Sequence, residues 1–199
     1  MNNVGDIRFS IYLFGLCLIL TSNPARGEDV EKASEDIGAL IVDVAESQIG
    51  RHDRDPGWIG LYHGHGSAWC SEFVSWCWMT AGVPFSGGRK NIDLCFKAWN
   101  LTNTRQIIKY FKKHLCYYEI DDLPQDLMPK PGDYVFITDT EGKRAHSGII
   151  KEVIREDDGT ETLVTIEGNN KGRPVAEYRY PDFRHTKVGQ GIVGGIGVR

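Results

Sequence analysis

Four residues in this chain have the types and placement that suit nucleophilic amide chemistry: Cys70, His146, Glu167 and Asn169. Cys70 opens a helical pattern in which Phe73, Val74, Cys77 and Ala81 fall on the same face. A helix start offers unpaired N–H groups and the positive end of the helix dipole, and both stabilise the thiolate that a cysteine nucleophile requires. His146 stands before Ser147-Gly148 at the head of a β-rich run, and Gly148, two positions along on the same strand face, leaves room for another group to approach the imidazole. Glu167 and Asn169 stand at the end of the run Thr162 to Ile166, where alternation puts both on one face. One of them would accept the second imidazole N–H and fix its tautomer, as the third member of a triad does; the other would hold substrate or the oxyanion. Each residue also has a plainer reading. A cysteine on an apolar helix face is commonly a packing residue, a histidine before a strand is commonly a solvated loop residue, and Glu167-Gly168-Asn169-Asn170 can simply begin a turn.

The elements that must position these residues follow from periodicity. Asp29 to Gly50 reads as a first helix, with Ile37, Leu40, Ile41, Val44, Ala45 and Ile49 at helical spacing and Gly50 at its end. The helix starting at Cys70 is closed by Gly82 and Pro84. Thr104 to Leu115 reads as a third, more basic helix with Ile107, Ile108, Phe111 and Leu115 inward. After Pro129-Lys130-Pro131-Gly132 the pattern turns to strands: Tyr134 to Ile137, Ser147 to Ile154, Thr162 to Ile166 and Ile192 to Val198, with a tight-turn signal at Asp157-Asp158-Gly159. Helices first and an antiparallel meander second make the class α+β.

At 199 residues, 41% hydrophobic and 25% charged, the chain suits one domain with its own core. A net charge of −4 without any basic run interleaved with aromatics argues against nucleic-acid binding. The first residues differ in kind: Arg8, the apolar stretch Phe9 to Thr21 and then Ala25-Arg26-Gly27 form the pattern of a cleaved secretory signal. The expected division is a signal peptide at 1–27 and a single catalytic domain at 28–199, located in the periplasm or secreted. Phe14 and Leu16 beside Cys17 disfavour lipid attachment.

Taken in order, Ala68-Trp69-Cys70-Ser71-Glu72-Phe73-Val74-Ser75-Trp76-Cys77, Ala81-Gly82-Val83-Pro84, Pro131-Gly132-Asp133-Tyr134-Val135, His146-Ser147-Gly148-Ile149 and Ile166-Glu167-Gly168-Asn169 resemble the successive motifs of the CHAP domain, the cysteine, histidine-dependent amidohydrolase/peptidase. The resemblance implies a papain-like arrangement with N-terminal helices packed on a C-terminal antiparallel sheet. It further implies Cys70 as nucleophile, His146 as base, Glu167 as orienting carboxylate and Asn169 as a fourth active-site residue. The implied substrates are amide bonds of peptidoglycan, in stem peptides, cross-bridges or the sugar–peptide junction, cut without a cofactor. Two alternatives stand beside this one: an inactive module that binds wall peptides or a partner, and a cysteine peptidase acting on proteins.

Other constellations carry less. His63-Gly64-His65 lacks a fourth zinc ligand, and Asp53-Arg54-Asp55 lacks a full calcium ligand series. Cys70 and Cys77 on one helix stand about 10 Å apart, beyond disulfide reach. Cys95 and Cys116 remain as a pair suited to an oxidising compartment.

Overall fold

The computed structural model describes residues 25–55, 68–86, 99–139, 141, 144–186 and 191–199. The expected signal peptide lies almost wholly outside them, as do His63, His65 and Cys95. Among the described residues three α-helices precede the whole sheet: α1 (Ala25–Glu46), α2 (Cys70–Thr80) and α3 (Thr104–His114). Six strands follow: β1 (Cys116–Glu119), β2 (Tyr134–Thr138), β3 (His146–Arg155), β4 (Glu161–Glu167), β5 (Ala176–Tyr180) and β6 (Ile192–Val198). They form one antiparallel sheet in the order β1-β6-β2-β3-β4-β5. The expected α+β architecture, helices first and antiparallel sheet second, is the observed one. Among the described residues no helix is long and apolar enough to cross a membrane.

Two cores flank the sheet. Tyr134, Ile149 and Ile166 pack under the helices with Ile41, Ala45, Phe73, Val74, Cys77, Ile107 and Phe111. Val135, Ile137, Ile150, Leu163, Val193 and Ile196 line the opposite face with Leu123 and Phe183. Residues that alternate along β2, β3 and β4 thus belong to alternate layers.

The helices depart from the periodic reading in three places. α1 stops at Glu46 rather than Gly50, because the chain turns away to pair with another segment. Gly50 adopts φ +85 and donates to Val175 O at 2.8 Å, and Val175 N returns a bond to Arg51 O. Leu40 and Ile49, expected inward, are exposed, since α1 buries only a narrow stripe at Ile41, Val42 and Ala45. α2 is not one-faced: Ser71, Glu72, Ser75 and Trp78 are buried as well, because the sheet covers one side and the segment around Leu101 the other. Leu115 is also exposed, lying just beyond the end of α3, whose inward contacts stop at Phe111.

Strands β1 and β5 carried no apolar run. Cys116-Tyr117-Tyr118-Glu119 is too short, and Ala176-Glu177-Tyr178-Arg179-Tyr180 sets charges between aromatics, as an edge strand does. Cys116 is an exposed free thiol at the head of β1, and its expected partner Cys95 lies outside the described residues.

Candidate active site

Cys70 is the first residue of α2, and His146 is the first residue of β3. The two side chains share a hydrogen bond, and both are almost fully buried. On the other side of the imidazole, His146 Nε2 stands 3.0 Å from Glu167 Oε2, which leaves Nδ1 for the thiol. Glu167 is the last residue of β4 and has no solvent exposure. The three expected residues therefore converge in the order sulfur, imidazole, carboxylate.

The sheet register explains the convergence. Ile149 pairs with Ile166, so the antiparallel strands bring Gly148 beside Glu167. A Cβ on Gly148 would stand 2.9 Å from Glu167 Cγ, so the glycine is the space that the carboxylate occupies on its way to His146. A second glycine serves the same closure: a Cβ on Gly168 would strike the ring of Trp69, the residue immediately before Cys70. Trp69 is buried, and its ring stands edge-on to Phe73 at 6.4 Å. The nucleophile's helix start and the end of β4 are thereby locked together by ring-on-glycine packing.

Glu167 is held by four donors. His146 Nε2 and Asn170 Nδ2, the latter at 2.7 Å, address Oε2; Thr165 Oγ1 at 2.6 Å and Tyr180 OH at 2.7 Å address Oε1. A carboxylate without solvent is costly unless its lone pairs are filled, and here each oxygen takes two bonds. Thr165, two residues back on the same strand face, was within reach of a period-two reading. Tyr180 and Asn170 were not, because one sits on an edge strand without an apolar pattern and the other in a short helical turn after β4.

Asn169 follows the strand end. It lies beyond β4 in the left-handed region at φ 63 and is half-buried, so the strand alternation that put it beside Glu167 ends at Gly168. The next residue, Asn170, donates to Glu167 Oε2.

The electrostatics favour transfer of the proton from sulfur to ring. Burial raises the Cys70 thiol, but the His146 hydrogen bond and charge, the Ser147 backbone N–H and the Ser71 hydroxyl outweigh it and leave the thiol below its ordinary value. Burial opposes the His146 charge, yet its bonds to Cys70 and Glu167 push it up to about 9. Cys77, seven residues on and fully buried with no such partner, is raised well above its ordinary value and is a packing residue. A cleft of about 400 Å³ opens on Cys70 and Ser71 and is walled by Thr102, Asn103, Thr104, Arg105 and Ala145.

Comparison with protein families matches the CHAP domain over residues 62–169, an interval holding Cys70, His146, Glu167 and Asn169. The chain belongs to the CHAP domain family. Neither the curated proteins nor the solved structures give a match. CHAP membership makes the chain a hydrolase of the amidase or peptidase type. The match ends at Asn169, so Asn170 and the whole of β5 with Tyr180, which complete the cradle of Glu167, lie beyond it. Among the described residues no three His, Cys, Asp or Glu side chains gather as a metal site. In the acidic loop Asp55 instead accepts a bond from the backbone N–H of His52.

Proposed function

We propose that this CHAP protein is an exported, cysteine-dependent hydrolase that cuts an amide bond of peptidoglycan, in a stem peptide, a cross-bridge or the sugar–peptide junction. The observation that carries the reading is the Cys70–His146–Glu167 arrangement at the mouth of the cleft.

The Cys70 thiolate attacks the amide carbonyl carbon, and the carbonyl oxygen takes up the negative charge of the tetrahedral intermediate. N–H groups in the first turn of α2, where the helix dipole is positive, stabilise that oxygen. The His146 imidazolium gives its proton to the nitrogen as the C–N bond breaks, leaving a thioester on Cys70. Water, deprotonated by the now neutral His146, attacks the thioester; the acid leaves, and the proton restores the ion pair. Glu167 keeps the ring in the tautomer and orientation for both transfers. Every proton transfer in this scheme runs through Cys70, His146, water and the substrate.

Purified sacculi incubated with the protein and with Cys70→Ala test the reading. Mass spectrometry of released fragments should show new ends with the first protein only. A new amino terminus on a cross-bridge residue would mark an endopeptidase, and a free lactyl carboxyl would mark an amidase. Turnover of casein but not of sacculi would instead make it a peptidase acting on proteins, and binding without turnover would make it an inactive module. Export is tested by sequencing the N-terminus of protein taken from the cell envelope, which should begin near Glu28. Met1 intact on cytoplasmic protein would refute it.

A further inference from the structure

Beside the nucleophile lies a group of four hydroxyls from four elements. Ser147 Oγ stands 2.9 Å from Ser71 Oγ, 3.1 Å from Tyr134 OH and 3.2 Å from Thr104 Oγ1. Ser71 and Thr104 are 3.4 Å apart. All four residues are buried, Ser147 and Tyr134 completely. Ser71 in turn hydrogen-bonds the Cys70 sulfur, and so does the backbone N–H of Ser147. Alternation along β3 explains the placement: Ser147 pairs with Phe136 and faces the helices, whereas Gly148 belongs to the opposite layer.

Each hydroxyl has one proton and two lone pairs, so a thiolate at one end fixes every direction. A thiolate only accepts, so Ser71 spends its proton on Cys70. Ser71 must then accept from Ser147, which spends its own proton in doing so. Ser147 can only accept from its remaining two neighbours, and Tyr134 and Thr104 donate to it. Tyr134 suits that end of the chain, since burial above all keeps its phenol protonated. Its ring is fixed by stacking on Phe111 at 5.4 Å.

We propose that Tyr134, Thr104, Ser147 and Ser71 form a directed chain of hydroxyls that ends on the Cys70 sulfur and holds it as a thiolate. Hydrogen bonds in a low-dielectric interior polarise one another when they point the same way, so the distal hydroxyls act on the sulfur through Ser71. These are positioning residues, apart from the His146–Glu167 side of the site. The chain also ties the start of α2 to Thr104 at the start of α3, which forms part of the cleft wall. The proposal rests on Cys70 being the reactive thiol, as the functional reading has it.

The test measures Cys70 directly and needs no substrate. The rate of iodoacetamide modification of the Cys70 peptide is followed by mass spectrometry across pH, which separates it from exposed Cys116 and from Cys77. The other charged or titratable groups near the sulfur are His146 on β3 with Glu167 behind it, Tyr134 on β2, Arg105 on the cleft wall and Glu72 on α2. The two serine variants leave all of these in place. Ser71→Ala should move the acid limb of the modification profile up by about one pH unit, a tenfold slower reaction on that limb. Ser147→Ala and Tyr134→Phe should move it the same way by less. Ser75→Ala is the control: its hydroxyl is equally buried on the same helix but bonds Ser71 O and Leu101 O, so the profile should not move. Tyr134→Phe keeps the ring and its stacking, so it reports even if a serine variant fails to fold. A folded Tyr134→Phe and a folded serine variant with the unaltered profile would overturn the proposal, as would an equal shift in Ser75→Ala. Sacculus hydrolysis surviving in Cys70→Ala would refute the functional reading instead, and would leave the modification profile readable on its own.

Discussion

The Cγ of Glu167 lies 2.9 Å from where a side chain would begin on Gly148. The carboxylate reaches His146 only by crossing the neighbouring strand at the one residue that has nothing to put in its way. The crossing is tight on both sides, because Val135 Cγ1 stands 3.0 Å from the same point. The site is therefore a property of the sheet register, and a methyl group is enough to disturb it.

Gly148→Ala should accordingly cost more than its single carbon suggests. Overpacking at a site enclosed by Glu167 and Val135 costs about 1–3 kcal/mol of stability. Glu167 must also retreat from His146, so hydrolysis should fall at least tenfold in protein that is still folded. Denaturant unfolding together with turnover on sacculi checks both parts; full activity in a folded Gly148→Ala would show that Glu167 is not needed where it stands.

The two cysteines of α2 should behave in opposite ways. Cys70 lies at the helix start beside the cleft, so Cys70→Ala should abolish turnover and leave the melting temperature within a degree or two. Cys77 is fully enclosed among Phe73, Val74 and Trp78, and truncating it should cost about 1 kcal/mol while most activity remains. Retained turnover in Cys70→Ala would falsify the nucleophile assignment.

Much of this site was legible in the sequence, for reasons that can be named. Cys70 was readable because a helix start is announced by the apolar face that follows it, and His146 because Gly148 and the apolar Ile149-Ile150 that follow it mark the head of a strand. Glu167 was readable as the end of a buried run. The side of Asn169 was not legible in the same way, because alternation says nothing once a strand ends, and β4 ends at Glu167. Tyr180 stayed hidden since β5 alternates charge with aromatic and presents no apolar stripe. The Ser71–Ser147 contact joins residues far apart in the chain and has no periodic signature at all; only folding brings two serines of neighbouring motifs together.

Asn169 and Asn170 should separate cleanly. Asn170 donates to Glu167 Oε2, the oxygen shared with His146, so Asn170→Ala frees that oxygen and loosens the imidazole. Its pH–rate profile should change shape. Asn169 lies past the end of β4, and its φ of 63 suits glycine, so Asn169→Gly removes the side chain and keeps the backbone unstrained. It should lower the rate without moving either limb. A shifted limb in Asn169→Gly and none in Asn170→Ala would exchange their roles.

Removing the charge of Glu167 gives the sharpest test, because its sign is fixed. His146 is raised to about 9 by its bonds to Cys70 and Glu167 against the opposing effect of burial. The wild-type rate should therefore fall on the alkaline side near that pH, where the imidazolium loses its proton. A group raised in the folded state adds stability that is complete below its unfolded value of about 6.5 and fades as pH climbs through the folded one. Glu167→Gln withdraws the negative charge from the imidazolium, so the alkaline limb should move to lower pH and that contribution to stability should shrink between about pH 6.5 and 9. The fold should suffer as well. A glutamine has one acceptor oxygen for four donors: with that oxygen kept on His146 and Asn170, its amide N–H groups turn to the lone pairs of Thr165 Oγ1 and Tyr180 OH, whose own protons lose their acceptor at a cost of about 1–3 kcal/mol. Sacculus turnover and denaturant unfolding, each measured from pH 5 to 10, read the two effects separately. An alkaline limb that stays in place, or moves upward, would show that Glu167 does not act on His146 through its charge.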